Sequence, residues 1–273
     1  MIEVSEQTQA RIIVEAARRV ISGGVVAALV TLICGLRNVG AKVLIEESGH
    51  HVGSTGDTEL DEKLVAHAAS FLASSAEATT YSVEEFAGGL AVWRGARVMF
   101  ERVESEPHVV ICGAGHVGAA LARLAYIIGY RVTLIDDRAD FVSRARFPEP
   151  GIELVAAKRW ADAVRDAVGG GRGVSVAVVT RGHKEDEECL RAVVAARPAY
   201  VGMIGSRRRT NIVLDRVRET GADEALLREV RAPVGLDIAA VAPEEVALAI
   251  LAEIVAERRG GTGVPLSAWR RKS

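Results

Sequence analysis

Val109-Val110-Ile111-Cys112-Gly113-Ala114-Gly115-His116-Val117-Gly118 is the stretch that decides the fold. An apolar strand runs into three glycines at the GxGxxG spacing, and a helical pattern, Val117–Ile128, follows. Gly113 permits the tight turn, Gly115 lets the backbone approach a pyrophosphate, and Gly118 lets the helix pack close to the strand. The helix start then offers unpaired N–H groups and the positive end of its dipole to phosphate. The motif alone is weak, but its surroundings support it. The next strand, Arg131–Ile135, stops at Asp136-Asp137-Arg138. That is about 20 residues past the first glycine, where an acid accepts hydrogen bonds from a ribose hydroxyl pair. An acid at Asp136 favours NAD over NADP, because it repels a 2′-phosphate; Arg138 weakens that preference. A dinucleotide-like phosphate ligand is the expectation.

Beyond the turn, strands and helices alternate. Ile152–Ala156, Val174–Thr180 and Ala199–Ile204 read as apolar strands, and Glu185–Ala196, Arg207–Glu219 and Pro243–Arg258 as helices. The pattern predicts a Rossmann-type, doubly wound parallel sheet covered on both faces. Two further strand ends should face the ligand crevice. In Thr180-Arg181-Gly182-His183, His183 is a candidate anchor or general acid/base. In Gly205-Ser206-Arg207-Arg208-Arg209, Ser206 can cap a helix and the arginines can grip an anion, or else form a solvated helix start. His116 can donate to an anion or be a partly exposed loop histidine. No catalytic residue is assigned.

The N-terminal part reads differently. An amphipathic helix over 6–22 precedes the strands Val25–Ile33, Val43–Ile45 and His50–Gly53, the last two a hairpin. After the small-residue loop Gly53-Ser54-Thr55-Gly56-Asp57 comes a helix facing inward with Leu60, Leu64, Ala68 and Phe71, with Asp57 or Thr58 as its cap. Thr79–Val83, Leu90–Trp93 and Arg97–Val103 read as short strands. Glu104-Ser105-Glu106-Pro107 is the best linker, so the expected fold is α/β with a smaller N-terminal α/β domain over 1–105 and a Rossmann domain over 106–273.

With 273 residues, 49% hydrophobic and 26% charged, and a net charge of −2, the chain reads as a soluble globular protein. Nothing points to nucleic acid; Arg207-Arg208-Arg209 and Arg270-Arg271-Lys272 are too short for that. No apolar run reaches membrane-spanning length, and Met1-Ile2-Glu3-Val4-Ser5-Glu6 lacks the features of a signal peptide. Cys34, Cys112 and Cys189 lie far apart, which argues against a disulfide framework or a structural zinc site and fits a reducing, cytoplasmic setting. Cys34 reads as a small core residue at the end of a buried strand, with a reactive thiol as the alternative; Cys112 and Cys189 read as packed residues. No Ser-His-Asp order, P-loop, HExxH or paired catalytic carboxylates is visible, which favours binding over catalysis.

The run Ile111–Gly118, Asp136-Asp137-Arg138, Tyr200-Val201-Gly202-Met203-Ile204-Gly205-Ser206-Arg207-Arg208, and Val234-Gly235-Leu236-Asp237-Ile238 followed by Pro243-Glu244-Glu245-Val246 together resemble the xanthine dehydrogenase accessory protein family (XdhC/CoxI). Gly40-Ala41-Lys42-Val43-Leu44 and Val52-Gly53-Ser54-Thr55-Gly56 resemble that family's first domain more loosely. The resemblance implies a maturation factor that binds molybdenum cofactor (molybdopterin), protects it while its sulfido ligand is installed, and passes it to an apo molybdenum hydroxylase. It implies a cysteine desulfurase-type sulfur donor as a second partner, and a homodimer. One departure stands out. Where the family carries a Gly-Gly-Gly-Cys-Leu-Glu-like stretch, this chain has Gly56-Asp57-Thr58-Glu59-Leu60-Asp61, with Glu59 at the cysteine position. A carboxylate is neither a soft ligand nor a sulfur carrier. Two rival readings remain: an NAD(P)-dependent oxidoreductase, and a nucleotide-binding regulatory protein without catalysis.

Overall fold

The structure, a computed structural model, describes residues 6–74, 76–171 and 173–267. Met1–Ser5 and the basic cluster Arg270-Arg271-Lys272 lie outside the described residues. The chain divides into two compact units between Ser105 and Glu106.

The first unit comprises α1 (Glu6–Gly23), β1 (Ala27–Cys34), β2 (Lys42–Glu46), β3 (His51–Gly53), α2 (Thr58–Ala73), β4 (Ala78–Ser82), α3 (Glu84–Ala87) and β5 (Arg97–Val103). Its strands form an antiparallel sheet in the order β3-β2-β1-β5-β4. The two-residue period of a strand splits the apolar residues between the faces. Ala28, Val30 and Leu32 pack with Leu60, Leu64, Ala68 and Phe71 of α2. Ala27 and Leu44 pack with Ile13, Ala16 and Val20 of α1.

Two expectations fail in this unit. Leu90–Trp93 is not a strand: Ala91–Trp93 forms a single 3-10 turn. Gly88-Gly89 and Gly95 leave too short a segment to pair, and the turn aims Trp93 inward, where its indole N–H donates to Asp57 at 2.9 Å. Cys34 is exposed rather than a core residue. A bulge between Leu32 and Cys34 in the pairing with β5 turns the end of β1 away from the core.

His67 of α2 lies among aromatic rings, stacked on Phe86 at 4.7 Å and edge-on to Tyr81 at 4.6 Å. Its Nε2 is buried with no hydrogen-bond partner, and burial lowers its pKa. An unmet buried donor or acceptor costs about 1 kcal/mol or more. His67→Phe is therefore expected to raise stability by about 1 kcal/mol, read as a higher urea midpoint at unchanged slope.

The second unit comprises β6 (His108–Cys112), α4 (His116–Ile127), β7 (Arg131–Asp136), β8 (Ile152–Ala156), α5 (Trp160–Val168), β9 (Val174–Val178), α6 (His183–Ala196), β10 (Tyr200–Met203), α7 (Arg207–Glu219), α8 (Glu224–Glu229) and α9 (Pro243–Arg259). The strands are parallel in the order β10-β9-β6-β7-β8. Val109 and Ile111 of β6 pack toward α4 and α9, while Val110 and Cys112 pack toward α5, α6 and α7. This is the doubly wound, Rossmann-type sheet that the strand–helix rhythm predicts. The sequence pattern does not show α5 or α8; in α5, Trp160, Val164 and Val168 bury one face without any side-chain cap at the start. The chain builds outward from β6 to β8, then crosses to β9 on the other side of β6. That reversal opens a crevice at the carboxyl ends of β6 and β9. Among the described residues, no helix is long and apolar enough to cross a membrane.

His108, at the start of β6, is buried and shares a hydrogen bond with the Thr133 hydroxyl at 2.9 Å. Burial, reinforced by the Arg131 charge, holds its pKa down to about 4. A depressed histidine stabilises the fold fully above its unfolded pKa of about 6.5. That contribution, up to about 3 kcal/mol, drains as pH falls from about 6.5 to 4. Urea titrations at pH 7 and pH 4.5 should show this loss in the wild type and a smaller one in His108→Gln.

Candidate functional site

Four loops leave the same edge of the parallel sheet: Gly113–Gly115 after β6, Asp137-Arg138 after β7, Val179–Gly182 after β9, and Ile204–Ser206 after β10. The register aligns Cys112 with Ile135 on one side and Val178 on the other. The glycine turn therefore sits between the ends of β7 and β9.

Steric constraints account for each glycine. Gly113 has φ +115°, and a Cβ there would lie 2.5 Å from the Val179 carbonyl oxygen. A Cβ on Gly118 would lie 1.8 Å from the Gly113 oxygen, so helix and strand approach as closely as the motif predicts. Gly115 is different: nothing lies within 4 Å of its absent Cβ. It is the N-cap of α4, with no side chain capping the helix. The free N–H groups of the first turn thus open onto unfilled space beside Gly115, an arrangement suited to an anion. His116, the first residue of α4, is exposed, whereas Val117 packs partly into the core and Gly118 is buried. Off the carboxyl edge, a cavity of 560 Å³ runs between α4 and α9, with His116 in its wall.

Asp136 does not face a ribose. Its side chain is 1% exposed and turned inward. Its carboxylate accepts from the Ala114 N–H at 2.7 Å, the Arg138 N–H at 3.0 Å, and the Arg138 guanidinium at 2.8 and 2.9 Å. Burial alone would raise its pKa; the Arg138 and Ala114 hydrogen bonds override that and hold it down to about 2. All of its accepting capacity is used, so the preference for NAD read from the sequence loses its physical basis. The Ala114 N–H is likewise committed to Asp136 rather than to a ligand. Arg138 also stacks over Phe141 at 3.5 Å. Asp137 is exposed and forms a bidentate pair with Arg181, both contacts at 2.8 Å.

After β9, Thr180 is buried and donates to Asp186, not to the crevice. Asp186 is fully buried; burial raises its pKa, against the pull of Thr180 and Arg209. The Arg209 guanidinium reaches the same carboxylate, so one arginine of the second glycine turn ties α7 to α6. Ser206 caps α7 by accepting from the Arg209 N–H at 3.3 Å. Gly205 and Ser206 thus shape the turn, and Arg207 and Arg208 remain exposed. His183 opens α6, exposed, behind an N-cap, Gly182, that also lacks a capping side chain. The starts of α4 and α6, each a Gly-His pair, flank the switch point. Asp237 is exposed, and its carboxylate accepts from the Ala239 N–H at 3.4 Å.

Sequence reasoning missed Asp186 and Arg181. Asp186 stands three and four residues before the buried Cys189 and Leu190, on the inner face of α6, a spacing visible in the sequence. No local signal pairs Arg181 with Asp137, because the two lie 44 residues apart.

In the first unit, Asp57 caps α2, accepting from the Glu59 and Leu60 N–H groups, and also accepts from Trp93 and from Arg37 at 2.8 Å. The Trp93 hydrogen bond leads the causes that lower its pKa. Asp61 is buried and accepts from Ser54 and Thr55. The loop's acids are consumed by the loop itself, and Glu59 is left exposed at the helix start. Lys42 donates to the Thr31 hydroxyl at 2.8 Å. Cys112 and Cys189 are buried, and burial raises the Cys189 thiol pKa. Among the described residues, no cluster of three or more His, Cys, Asp or Glu side chains is placed to hold a metal ion.

The glycines should separate by role. Gly113→Ala and Gly118→Ala are each expected to cost about 2 kcal/mol or more. Gly115→Ala should stay within about 1 kcal/mol of the wild type. Equilibrium urea unfolding of the three variants checks this.

Residues 109–254 match the model of the XdhC Rossmann domain. Escherichia coli (strain K12) YqeB is 28% identical over 227 residues, 82% of this chain and 41% of YqeB. A Bacillus subtilis (strain 168) protein, whose name makes it one component of a xanthine dehydrogenase, is 26% identical over 162 residues, 59% of this chain and 46% of its own length. The chain thus spans less than half the length of these curated relatives. The crystal structure of a Bacillus halodurans protein described as a xanthine dehydrogenase superposes with a TM-score of 0.51 at 16% identity, covering 94% of this chain and 98% of that one; at that identity the likeness concerns the fold. With the family model covering more than half of its residues, this chain belongs to the XdhC family.

Proposed function

We propose that this protein is an accessory factor for a molybdenum hydroxylase of the xanthine dehydrogenase or carbon monoxide dehydrogenase type, and that it holds molybdenum cofactor by a phosphate at the glycine turn. The observation that carries the reading is the uncapped start of α4 behind the open position at Gly115. A pyrophosphate of a dinucleotide form, or a terminal phosphate, fits there by the hydrogen-bonding chemistry of helix starts. Family membership and the Bacillus subtilis relative's name support a hydroxylase as the client.

The residues present suit the phosphate end of the cofactor. They offer no soft ligand near the turn, since Cys112 and Cys189 are buried. In this proposal the protein therefore grips and shields the cofactor as cargo, and sulfur arrives from a cysteine desulfurase-type donor rather than through a thiol at position 59. Free cysteines are consistent with work in a reducing cytoplasm, and a homodimer is part of the same proposal. The internal use of Asp136 weighs against a nicotinamide dinucleotide oxidoreductase, whose acid at this point must be free for ribose.

Titration of the purified protein with molybdopterin, NAD and NADP separates the readings. Saturable quenching of pterin fluorescence, abolished by Gly115→Val, is the expected result. Absence of pterin binding together with tight binding and hydride transfer from a nicotinamide nucleotide would overturn it.

A further inference from the structure

Asp137 follows β7 and Arg181 follows β9, and β6 lies between those strands. Their bidentate ion pair therefore crosses the carboxyl end of β6, where the glycine turn begins. We propose that Arg181 is a binding residue for the phosphate at this turn, and that Asp137 holds it as an exchangeable latch: on binding, the guanidinium leaves the carboxylate for the ligand's phosphate. The ligand class is a diphosphate or phosphomonoester carrying two negative charges. The inference rests on the phosphate reading of the glycine turn.

The arginines at this edge differ in what their release would cost. Arg138 serves Asp136, which is 1% exposed, and Arg209 serves Asp186, which is 0% exposed. Withdrawing either guanidinium would strand a buried carboxylate, a strongly destabilising event. The Arg181 and Asp137 side chains are 46% and 31% exposed, and exposed pairs contribute little. Asp137 is not left alone when Arg181 departs, because the Arg138 Nε lies 3.9 Å from it. Glu185, on the first turn of α6, lies 3.5 Å from Arg181 and tethers it over the crevice. A phosphate accepts a guanidinium through two parallel hydrogen bonds, as the carboxylate does, and carries more charge. Arg207 and Arg208 are exposed too, but they follow β10, one strand farther from the turn.

Calorimetric titration of the full chain with inorganic pyrophosphate and with ADP tests the latch, using wild type, Arg181→Gln, Asp137→Asn and Gly115→Val. Arg181→Gln should weaken binding about tenfold, the loss of one charge-assisted contact. Asp137→Asn should tighten it several-fold, because the competing carboxylate is gone. Both variants break the same ion pair, so a merely structural pair would shift affinity in the same direction in each. Equal weakening in both, or no change in either, overturns the latch. If the wild type binds and Gly115→Val abolishes binding while the two variants move together, the latch falls and the phosphate turn stands. If the wild type binds neither probe, both readings fall.

Discussion

The buried carboxylate of Asp136 is the constraint on which the rest of this edge depends. Burying an ionised acid is expensive unless every acceptor position is used, and here four donors use them. Two belong to the neighbouring turn and to the main chain two residues on, so the acid fixes the shape of the glycine turn and of its own strand end together. Because the Ala114 N–H points inward to Asp136, the donors left to face solvent are those of the first turn of α4. Because Arg138 is consumed behind the turn, the groups exposed above it are Asp137 and Arg181. Each outward feature of the crevice follows from one inward-facing side chain.

Much of the fold is legible because burial imposes periodicity. β6, β7 and β9 lie within a covered sheet, so they are continuous apolar runs, and α9 shows apolar residues at helical spacing. Where the constraint is local and short, the pattern gives no warning. α5 has nine residues and no capping side chain, and the 3-10 turn at Ala91–Trp93 exists to place one indole against Asp57. Cys34 misleads for the same reason. A bulge one residue upstream, set by pairing with β5, moves it from the inside to the outside.

The site divides along the same line. The glycine turn is readable because each glycine answers a steric demand made by residues close in sequence or by the adjoining strand. The direction of Asp136 is not, because the same acid at the end of the second strand can serve a ligand or the scaffold. The deciding neighbour is Arg138, whose main-chain N–H and guanidinium both fold back onto the carboxylate. An arginine two residues after such an acid is a cue for the inward state, and it stands in the sequence. Thr180 behaves similarly, because its partner Asp186 sits on the buried face of α6.

Charge alone does not explain why an anion would settle here. The four ionised side chains nearest the turn form two pairs, Asp136 with Arg138 and Asp137 with Arg181, and their charges cancel. The chain as a whole is slightly acidic. Attraction must therefore come from oriented main-chain dipoles at the starts of α4 and α6, neither capped by a side chain. Such dipoles act over about one helical turn and hold an anion by N–H geometry rather than by a diffuse field. Salt at physiological strength screens exposed charges beyond about 8 Å but leaves short, partly buried hydrogen bonds largely intact. A crevice neutral in charge yet rich in aimed donors is built to discriminate by shape: it ignores most anions that drift past and retains one whose phosphate reaches the donors at Gly115.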